Sequence, residues 1–302
     1  MTRLAAIAAV LAAALLGAGC GERDEPVGPL PQAYPVSVQG AGDRSTVIDA
    51  RPERIVALDP GSAQILLELG AGDRLVGVPA GLARREAAGA QVVVRPNGGV
   101  NVDAVVGLRP DLVVATPSVD ELDVARAGRQ ADAAVYVQPE TSILNVERGT
   151  IDLGFLVGAA PQARALVGRI ERQVDAVEAR LADVEPVTAF VDTGFFITVP
   201  ERSLLGDLVA RAKGESVAGE SPGPGPFPLS ELGRLNPRVY LATSDSRVTL
   251  PALRRNPATR NLPAVKKGRL EIVPVKAVTW PGPHVGDGLE AVARALHPDA
   301  FR

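Results

Sequence analysis

Few side chains in this sequence could carry out covalent or metal chemistry. The 302 residues include one cysteine, Cys20, and two histidines, His284 and His297. There is no phosphate-binding P-loop motif, and the cysteine has no histidine beside it. Two isolated histidines cannot assemble a three-histidine transition-metal site. His297 precedes Pro298 at a predicted helix end, where it complements the helix dipole. The residues favour binding over catalysis.

Aromatic residues are only 3% of the chain, so those near predicted strand ends are informative. In parallel sheets, ligands bind outside the carboxyl ends of the strands, where loops and helix N-termini meet. His284 also lies in such a loop, at a helix start. The alternative is that these loop residues pack against their own lobe. We predict ligand contacts by Ser62, Ala80, Asn97, Thr116, Phe195, Phe196, Phe227, Trp280 and His284.

The elements that must position these loops alternate between short apolar runs and helical runs. Arg54–Leu58 is a predicted buried strand, and the helix Ala63–Leu69 follows it and ends at Gly70. The same scheme recurs through both halves of the chain. Strands of this kind predict parallel sheets covered on both faces. The segment 101–115 also parallels 229–242, since each contains a helix, a proline that stops it, and a buried strand.

A long amphipathic helix is predicted between the two halves, at Pro161–Val184. Its apolar residues recur in steps of three and four, which forms one stripe. At about 1.5 Å per residue, this helix would be roughly 35 Å long. The alternative is an ordinary surface helix of one domain. We predict an α/β fold with two Rossmann-like lobes, each with a mainly parallel sheet, joined by one long rigid α-helix.

The N-terminus has the pattern of an export signal. Arg3 precedes an apolar run, Leu4–Leu16, that is too short for a permanent membrane span. Gly17-Ala18-Gly19-Cys20 resembles a bacterial lipobox, with Gly17 where leucine is usual. Diacylation at Cys20 would provide two chains, which is enough for stable anchoring. The predicted segments are a lipoprotein signal peptide (1–19), a flexible tether (20–33), an N-terminal lobe (34–160), the inter-lobe helix (161–184) and a C-terminal lobe (185–302).

The composition limits the partners. A 46% hydrophobic and 22% charged chain can bury a core, which excludes general disorder. The net charge of −3 gives no reason to expect nucleic acid as a partner.

Three motifs occur in an order that is typical of one family. They are RIVALDPGSAQILLELGAGDRLVGV at 54–78, NVDAVVGLRPDLVVA at 101–115 and LPAVKKGRL at 262–270. They resemble motifs of substrate-binding proteins of cobalamin and ferric-siderophore ABC importers. The resemblance implies two α/β lobes joined by one rigid helix, no enzymatic activity and no resident cofactor. It also implies a monomer anchored through Cys20 to the outer face of the cytoplasmic membrane.

The resemblance further implies docking onto a permease dimer. Family members place one acidic residue on each lobe, near the start of the helix before each proline-containing motif, to meet permease arginines. The matching first-lobe residue is Asp103; in the second lobe Ser230 occupies the position and Glu231 follows it. A favourable charge in the first helical turn is the alternative role for both acids.

The resemblance leaves several ligands open. Cobalamin binders of this group use aromatics from both lobes, whereas the first-lobe loops here carry Asn97 and Thr116. Catecholate siderophores require cations in the cleft, and haem requires an axial tyrosine or histidine. The candidates are Lys276, Arg84, Arg85 and Arg247 for a siderophore, and Tyr136 and His284 for haem. The first expectation is a ferric siderophore or similar metal chelate, and cobalamin and haem are the alternatives. A membrane-anchored enzyme on this fold and a sensor without a permease are the other classes.

Overall fold

The computed structural model describes residues 32–82, 87, 89–220 and 224–302, which contain two parallel sheets. The predicted signal peptide, Cys20 and most of the tether lie outside the described residues, as do Arg84 and Arg85. Gln32–Arg302 forms one compact unit. Within the described part of the chain, no helix combines the length and hydropathy needed to cross a bilayer.

The first half of the chain forms a five-stranded parallel sheet in the order β5-β4-β3-β6-β7. An antiparallel hairpin precedes it. The hairpin strands are β1 (Val36–Gln39) and β2 (Ser45–Ile48); the sheet strands are β3 (Ile55–Ala57), β4 (Leu75–Pro79), β5 (Gln91–Val94), β6 (Leu112–Ala115) and β7 (Ala134–Val137). The helices are α1 (Pro60–Glu68), α2 (Val102–Gly107), α3 (Glu121–Ala131) and α4 (Ile143–Leu156).

After the linking helix α5 (Ala160–Arg180), the second half forms a four-stranded parallel sheet in the order β10-β8-β12-β13. A two-residue antiparallel pair, β9 with β11, lies beside it. The strands are β8 (Val187–Asp192), β9 (Ile197–Thr198), β10 (Gly214–Ser216), β11 (Gly225–Pro226), β12 (Val239–Thr243) and β13 (Leu270–Val273). The helices are α6 (Leu204–Arg211), α7 (Leu229–Leu235), α8 (Leu250–Arg255), α9 (Pro263–Lys266), α10 (Val275–Thr279) and α11 (Val285–Leu296).

The linking helix α5 buries the apolar stripe that the sequence predicts. Leu166, Ile170, Val174 and Val177 are all buried, and α5 packs against α4 from the first half and α11 from the second. One hydrophobic cluster therefore runs through both halves of the chain.

Element boundaries differ from the sequence expectations in a few places. The linking helix ends at Arg180, with Leu181 as its C-cap, so Val184 lies beyond it. The short elements β10, α9 and α10 were not predicted. Three to five residues contain too little periodicity to identify an element, and tertiary pairing decides their structure.

Asp59 links the first parallel strand to the helix that follows it. Its Oδ1 accepts a hydrogen bond from the Ser62 backbone N–H at 2.8 Å, which caps α1, and Pro60 follows at the first helical position. Its Oδ2 is buried and has no hydrogen-bond partner among the described residues. Burial raises the pKa of Asp59 to about 6.

This buried carboxylate makes stability depend on pH. The pKa of Asp59 is higher in the folded chain than in the unfolded chain, so its contribution is fully present below about pH 4 and is lost as pH rises through about 6. Asp59→Asn retains a capping oxygen without the charge. We expect the free energy of unfolding of Asp59→Asn, relative to that of the parent, to rise by about 2.5 kcal/mol between pH 4 and 8.

Urea unfolding of residues 32–302 at both pH values measures this difference. Asp59→Ala is the control, because it loses the cap at both pH values, at a cost of about 1 kcal/mol, while showing the same trend with pH. If the free energies of unfolding of Asp59→Asn and the parent differed by the same amount at both pH values, the raised pKa of Asp59 would be contradicted.

Candidate ligand-binding site

The carboxyl ends of the strands in the two sheets face one another across a close backbone contact. Gly61, at the start of α1, lies against Pro281, in the loop that follows α10. A Cβ on Gly61 would lie 2.7 Å from the Pro281 carbonyl carbon and oxygen, which is closer than real Cβ atoms approach. A glycine is therefore required where the first-lobe helix start meets the second-lobe loop.

Gln138, directly after β7, bridges the same junction with its side chain. Its Oε1 accepts a hydrogen bond from the Ser62 Oγ at 2.9 Å, and its Nε2 donates to the Pro281 carbonyl oxygen at 2.8 Å. Gln138 and Ser62 are both fully buried. Because Ser62 uses its hydroxyl to orient Gln138, its side chain supports the floor of the site and does not line it.

A second bridge connects Lys276, on α10, to the loop after β4. The Lys276 Nζ donates to the Gly81 carbonyl oxygen at 3.2 Å and lies 4.7 Å from the centroid of the Trp280 ring. The partly buried indole also approaches Gly81. Ala80, next to Gly81, is held by a backbone hydrogen bond from its N–H to Val94. Trp280 and Lys276 therefore lie beside Gly81, next to Ala80, and contact of these residues with a ligand stays a prediction.

The turn after β8 exposes the Phe195 side chain to solvent. Phe195 and Phe196 both have positive φ angles, 52° and 59°, which bulky L-residues rarely adopt. The Ile197 N–H donates to the Gly194 carbonyl at 2.9 Å and closes the turn. The Phe195 side chain is 83% exposed. A strained backbone that exposes an aromatic ring is typical of a functional position.

Asp192 fixes that turn from below. Its Oδ1 accepts a hydrogen bond from the Gly194 N–H at 2.7 Å, and its Oδ2 accepts one from the buried Tyr240 hydroxyl at 2.6 Å. Both oxygens are satisfied in a fully buried residue. The strain at Phe195 is thus supported by a complete hydrogen-bond network.

Phe196 and Phe227 lie closer to their own lobe. Both pack against the second-lobe cluster around Phe190 and Leu232, and the Phe227 ring centroid is 5.5 Å from that of Phe190. The Phe227 N–H donates to the Phe196 carbonyl oxygen. Their partial burial agrees with the alternative of packing within the lobe, and ligand contact by either stays a prediction.

The first-lobe rim, formed by the loops after β5, β6 and β7, is polar. Thr116 is buried, with its Oγ1 2.7 Å from the Ser118 Oγ, and Glu140 lies beside both. Burial raises the pKa of Glu140 against the opposing effect of Thr116 and Ser118. Asn97 is exposed at the end of β5 and accepts a hydrogen bond from the Gly99 N–H. Among the described residues, this rim therefore offers the Glu140 carboxyl, hydroxyl groups and the exposed Arg95 instead of aromatic rings.

The two candidate haem ligands differ in accessibility. Tyr136 is fully buried and donates its hydroxyl to the Asp152 Oδ2 at 2.9 Å, so it cannot reach a ligand at the strand ends. His284 is exposed at the start of α11, with its Nδ1 3.3 Å from the Asp287 Oδ2. His297 lies 3.3 Å from the Lys213 carbonyl oxygen, and burial lowers its pKa, in keeping with a structural role.

Each of the two predicted docking acids is exposed in the first turn of a helix. Asp103 is exposed in the first turn of α2, and Glu231 is exposed in the first turn of α7, 3.7 Å from the Arg234 guanidinium. Each helix leads through a proline into a buried strand. Their N-termini therefore lie toward the edge at which the parallel strands end.

Among the described residues, no group of three or more His, Cys, Asp or Glu side chains could hold a metal ion. One G-x-S-x-G match, residues 219–223, escaped the sequence reasoning. Such an elbow requires a helix directly after the serine, whereas the next helix begins at Leu229. Ser221 itself lies outside the described residues.

Sequence reasoning also missed Gln138, Glu140 and Asp192 as individual contributors. A signal was available, because each follows or ends an apolar strand at the edge where ligands bind. What the sequence lacks is the partner: Gln138 meets Pro281, which lies 143 positions later.

The comparisons with known proteins agree with this geometry. An uncharacterized ABC transporter substrate-binding lipoprotein of Bacillus subtilis, YvrC, is 25% identical over 98% of this chain and 97% of its own length. A cobalamin-binding protein of Halobacterium salinarum is 28% identical over 88% of this chain and 75% of its own length. The vitamin B12 binding protein BtuF of Vibrio cholerae has the same fold, with a TM-score of 0.73 and 17% identity over 83% of this chain and 98% of that one.

The likeness to BtuF confirms the predicted fold class of two parallel α/β sheets with a long linking helix. A model of the periplasmic binding proteins, a family of solute-binding proteins and not of enzymes, matches residues 55–276. This chain therefore belongs to the periplasmic binding protein family, as a substrate-binding protein of the ABC importer type.

Proposed function

We propose that this protein is an extracytoplasmic lipoprotein that captures a metal chelate between its two sheets and delivers it to an ABC permease. The observation that carries the proposal is the junction at Gly61, Gln138 and Pro281, where the strand ends of both sheets meet. Trp280, next to Pro281, and Lys276 lie beside it, and the exposed Phe195 follows β8 at the carboxyl edge of the second sheet. Anchoring through Cys20 to the outer face of the cytoplasmic membrane is part of the proposal.

Among metal chelates, the first-lobe rim supports an uncharged, amide-bearing ligand. Carboxyl groups such as Glu140, with the Thr116 hydroxyl beside it, accept hydrogen bonds from amides. A polyanionic ferric catecholate would place negative charge beside the Glu140 carboxyl, although Arg95, directly after β5, is a cation on the same rim. The name of the Halobacterium relative supports the same choice. We therefore place cobalamin first and a ferric siderophore second, which reverses the order expected from the sequence.

Haem has weaker support. An axial ligand must reach the iron, and Tyr136 is buried with its hydroxyl bonded to Asp152. His284 is the remaining candidate, and it is exposed beside Asp287.

A titration tests the ligand. Trp280, the only tryptophan of the chain, lies at the proposed site, and corrinoids and ferric chelates absorb near its emission. We expect cyanocobalamin to quench Trp280 fluorescence in a saturable way, more tightly than a ferric tris-catecholate or haemin. If none of the three gave a saturable response, the metal-chelate proposal would be contradicted. If the catecholate bound more tightly than cyanocobalamin, a ferric siderophore would become the first choice of ligand again.

Two substitutions of Phe195 test its role more sharply, because they affect ligand affinity equally but the free energy of unfolding differently. Phe195→Ala and Phe195→Gly both remove the ring, and each should weaken ligand binding about tenfold. Glycine adopts positive φ freely, so we expect Phe195→Gly to be about 1 kcal/mol more stable than Phe195→Ala in urea unfolding. Phe301→Ala, at the C-terminal end beside Arg180 and Arg294, is the control that leaves affinity unchanged. Unaltered affinity in both Phe195 variants would remove Phe195 from the site.

The linking helix predicts limited closure around the ligand. A single helix packed into both halves bends less than extended strands would, and Gln138 already bridges the junction. We expect the two lobes to twist by a few degrees at most when the ligand binds. Small-angle scattering of residues 32–302 should therefore show a nearly unchanged radius of gyration on ligand saturation. A large hinge closure would contradict this expectation.

Docking can be tested apart from ligand capture. Asp103→Lys should abolish uptake by cells that carry the cognate permease while ligand affinity stays unchanged, because Asp103 is exposed on the first turn of α2. Asp73→Lys is the matched control, since Asp73 is an exposed acid in the turn before β4, at the amino end of that strand. Equal uptake by both variants would exclude docking through Asp103.

A further inference from the structure

The basic residues of this acidic chain are concentrated in one segment. Residues 246–269 contain seven of the 32 basic residues and none of the 35 acidic ones. The other 25 basic and 35 acidic residues give the rest of the chain a net charge of −10. Apart from Arg247, a candidate cation for a siderophore, this segment has no part in the proposed ligand capture or in permease docking through Asp103 and Glu231.

The segment folds into a surface patch. Arg254, Arg255, Arg260, Lys266 and Lys267 are all exposed, and no acidic side chain within the described residues pairs with any of them. These five residues are the basic patch. They lie on α8, on α9, at the C-cap of α9 (Lys267) and in the connection between the two helices, which pack together.

The backbone beneath the basic patch is fixed. Thr259 is fully buried, and its Oγ1 donates to the Leu253 carbonyl oxygen at 2.7 Å. The Arg260 N–H donates to the Asn256 carbonyl oxygen at 2.9 Å, which closes the connecting turn. Leu262 is buried in the second-lobe cluster as an anchor. The backbone that carries the cations is therefore fixed on one surface of the lobe.

The patch lies on the side of the second sheet opposite the linking helix. Leu253 and Leu262 belong to the cluster on one face of the sheet, with Phe190 and Tyr240. The stripe of α5 belongs to the cluster on the other face, with Val191 and Leu241. The basic patch is thus separated from the surface that carries α5.

We propose that the basic patch binds the anionic phospholipid surface of the membrane and orients the second lobe on it. Clusters of lysine and arginine are attracted to anionic headgroups, and each basic residue near the surface contributes roughly fivefold to binding. The net charge of −10 on the rest of the chain repels the same surface. Attraction confined to one face and repulsion elsewhere select a single orientation.

Vesicle sedimentation tests the proposal with residues 32–302, a compact unit that lacks the leader and Cys20. We expect binding to vesicles of phosphatidylcholine with about 30% phosphatidylglycerol at about 50 mM salt, and loss of binding at about 500 mM salt through screening. Vesicles of phosphatidylcholine alone should not bind. Because no chelate is present, the outcome is independent of the proposed ligand.

A matched pair of variants locates the surface. Replacement of Arg254, Arg255, Lys266 and Lys267 by Gln should weaken binding more than tenfold. Replacement of Arg95, Arg129, Arg172 and Arg202 by Gln changes the net charge equally, at exposed residues without ion pairs in the described chain, and should weaken it at most twofold.

Two outcomes would overturn the proposal: equal loss in both variants, or equal binding to vesicles with and without phosphatidylglycerol. Lys266→Gln with Lys267→Gln alone, at the exposed end of α9, should give an intermediate loss if the fourfold variant does not fold.

Discussion

The burial of one apolar stripe on the linking helix is the constraint on which the rest of the structure depends. Leu166, Ile170, Val174 and Val177 lie in a cluster that includes side chains from both halves of the chain. Burying four aliphatic side chains is worth on the order of 6–10 kcal/mol before entropic costs. That is comparable to the net stability of a whole domain. Separation of the halves about this helix would expose the stripe and is therefore strongly disfavoured.

A fixed spacing between the sheets explains the close contacts at the strand ends. Pro281 packs against Gly61 and accepts a hydrogen bond from the buried Gln138 amide. Both contacts require a constant distance between the two sheets. Flexible lobes would leave the Gln138 amide without its partner part of the time, which costs free energy in a buried site. The rigid helix removes that cost, and adaptation to a ligand falls to exposed loops such as the turn that carries Phe195.

The features predictable from the sequence are those that arise from local periodicity. The stripe of the linking helix and the alternation of apolar strands with helices identified the two sheets and the edge at which a site should lie. Local patterns do not specify which side chains meet across that edge. Thr116 was identified as a strand-end residue, yet its burial beside Glu140 depends on the packing of neighbouring loops. Phe195 was identified as an aromatic loop residue, but its positive φ depends on Asp192 below it.

The distribution of charge and aromatic groups connects the two proposals. Carboxyl and hydroxyl groups lie on the first-lobe rim, an exposed ring stands on the second lobe at Phe195, and the basic patch lies on the outer side of that lobe. At the strand ends, Lys276 is bonded to Gly81, and Arg95 and Arg247 are exposed in the loops after β5 and β12. The five cations of the basic patch lie away from these loops, so they leave the choice of ligand to the groups at the strand ends. The basic patch is then available to bind a membrane. In the two proposals, the strand-end loops select the ligand and the basic patch orients the protein.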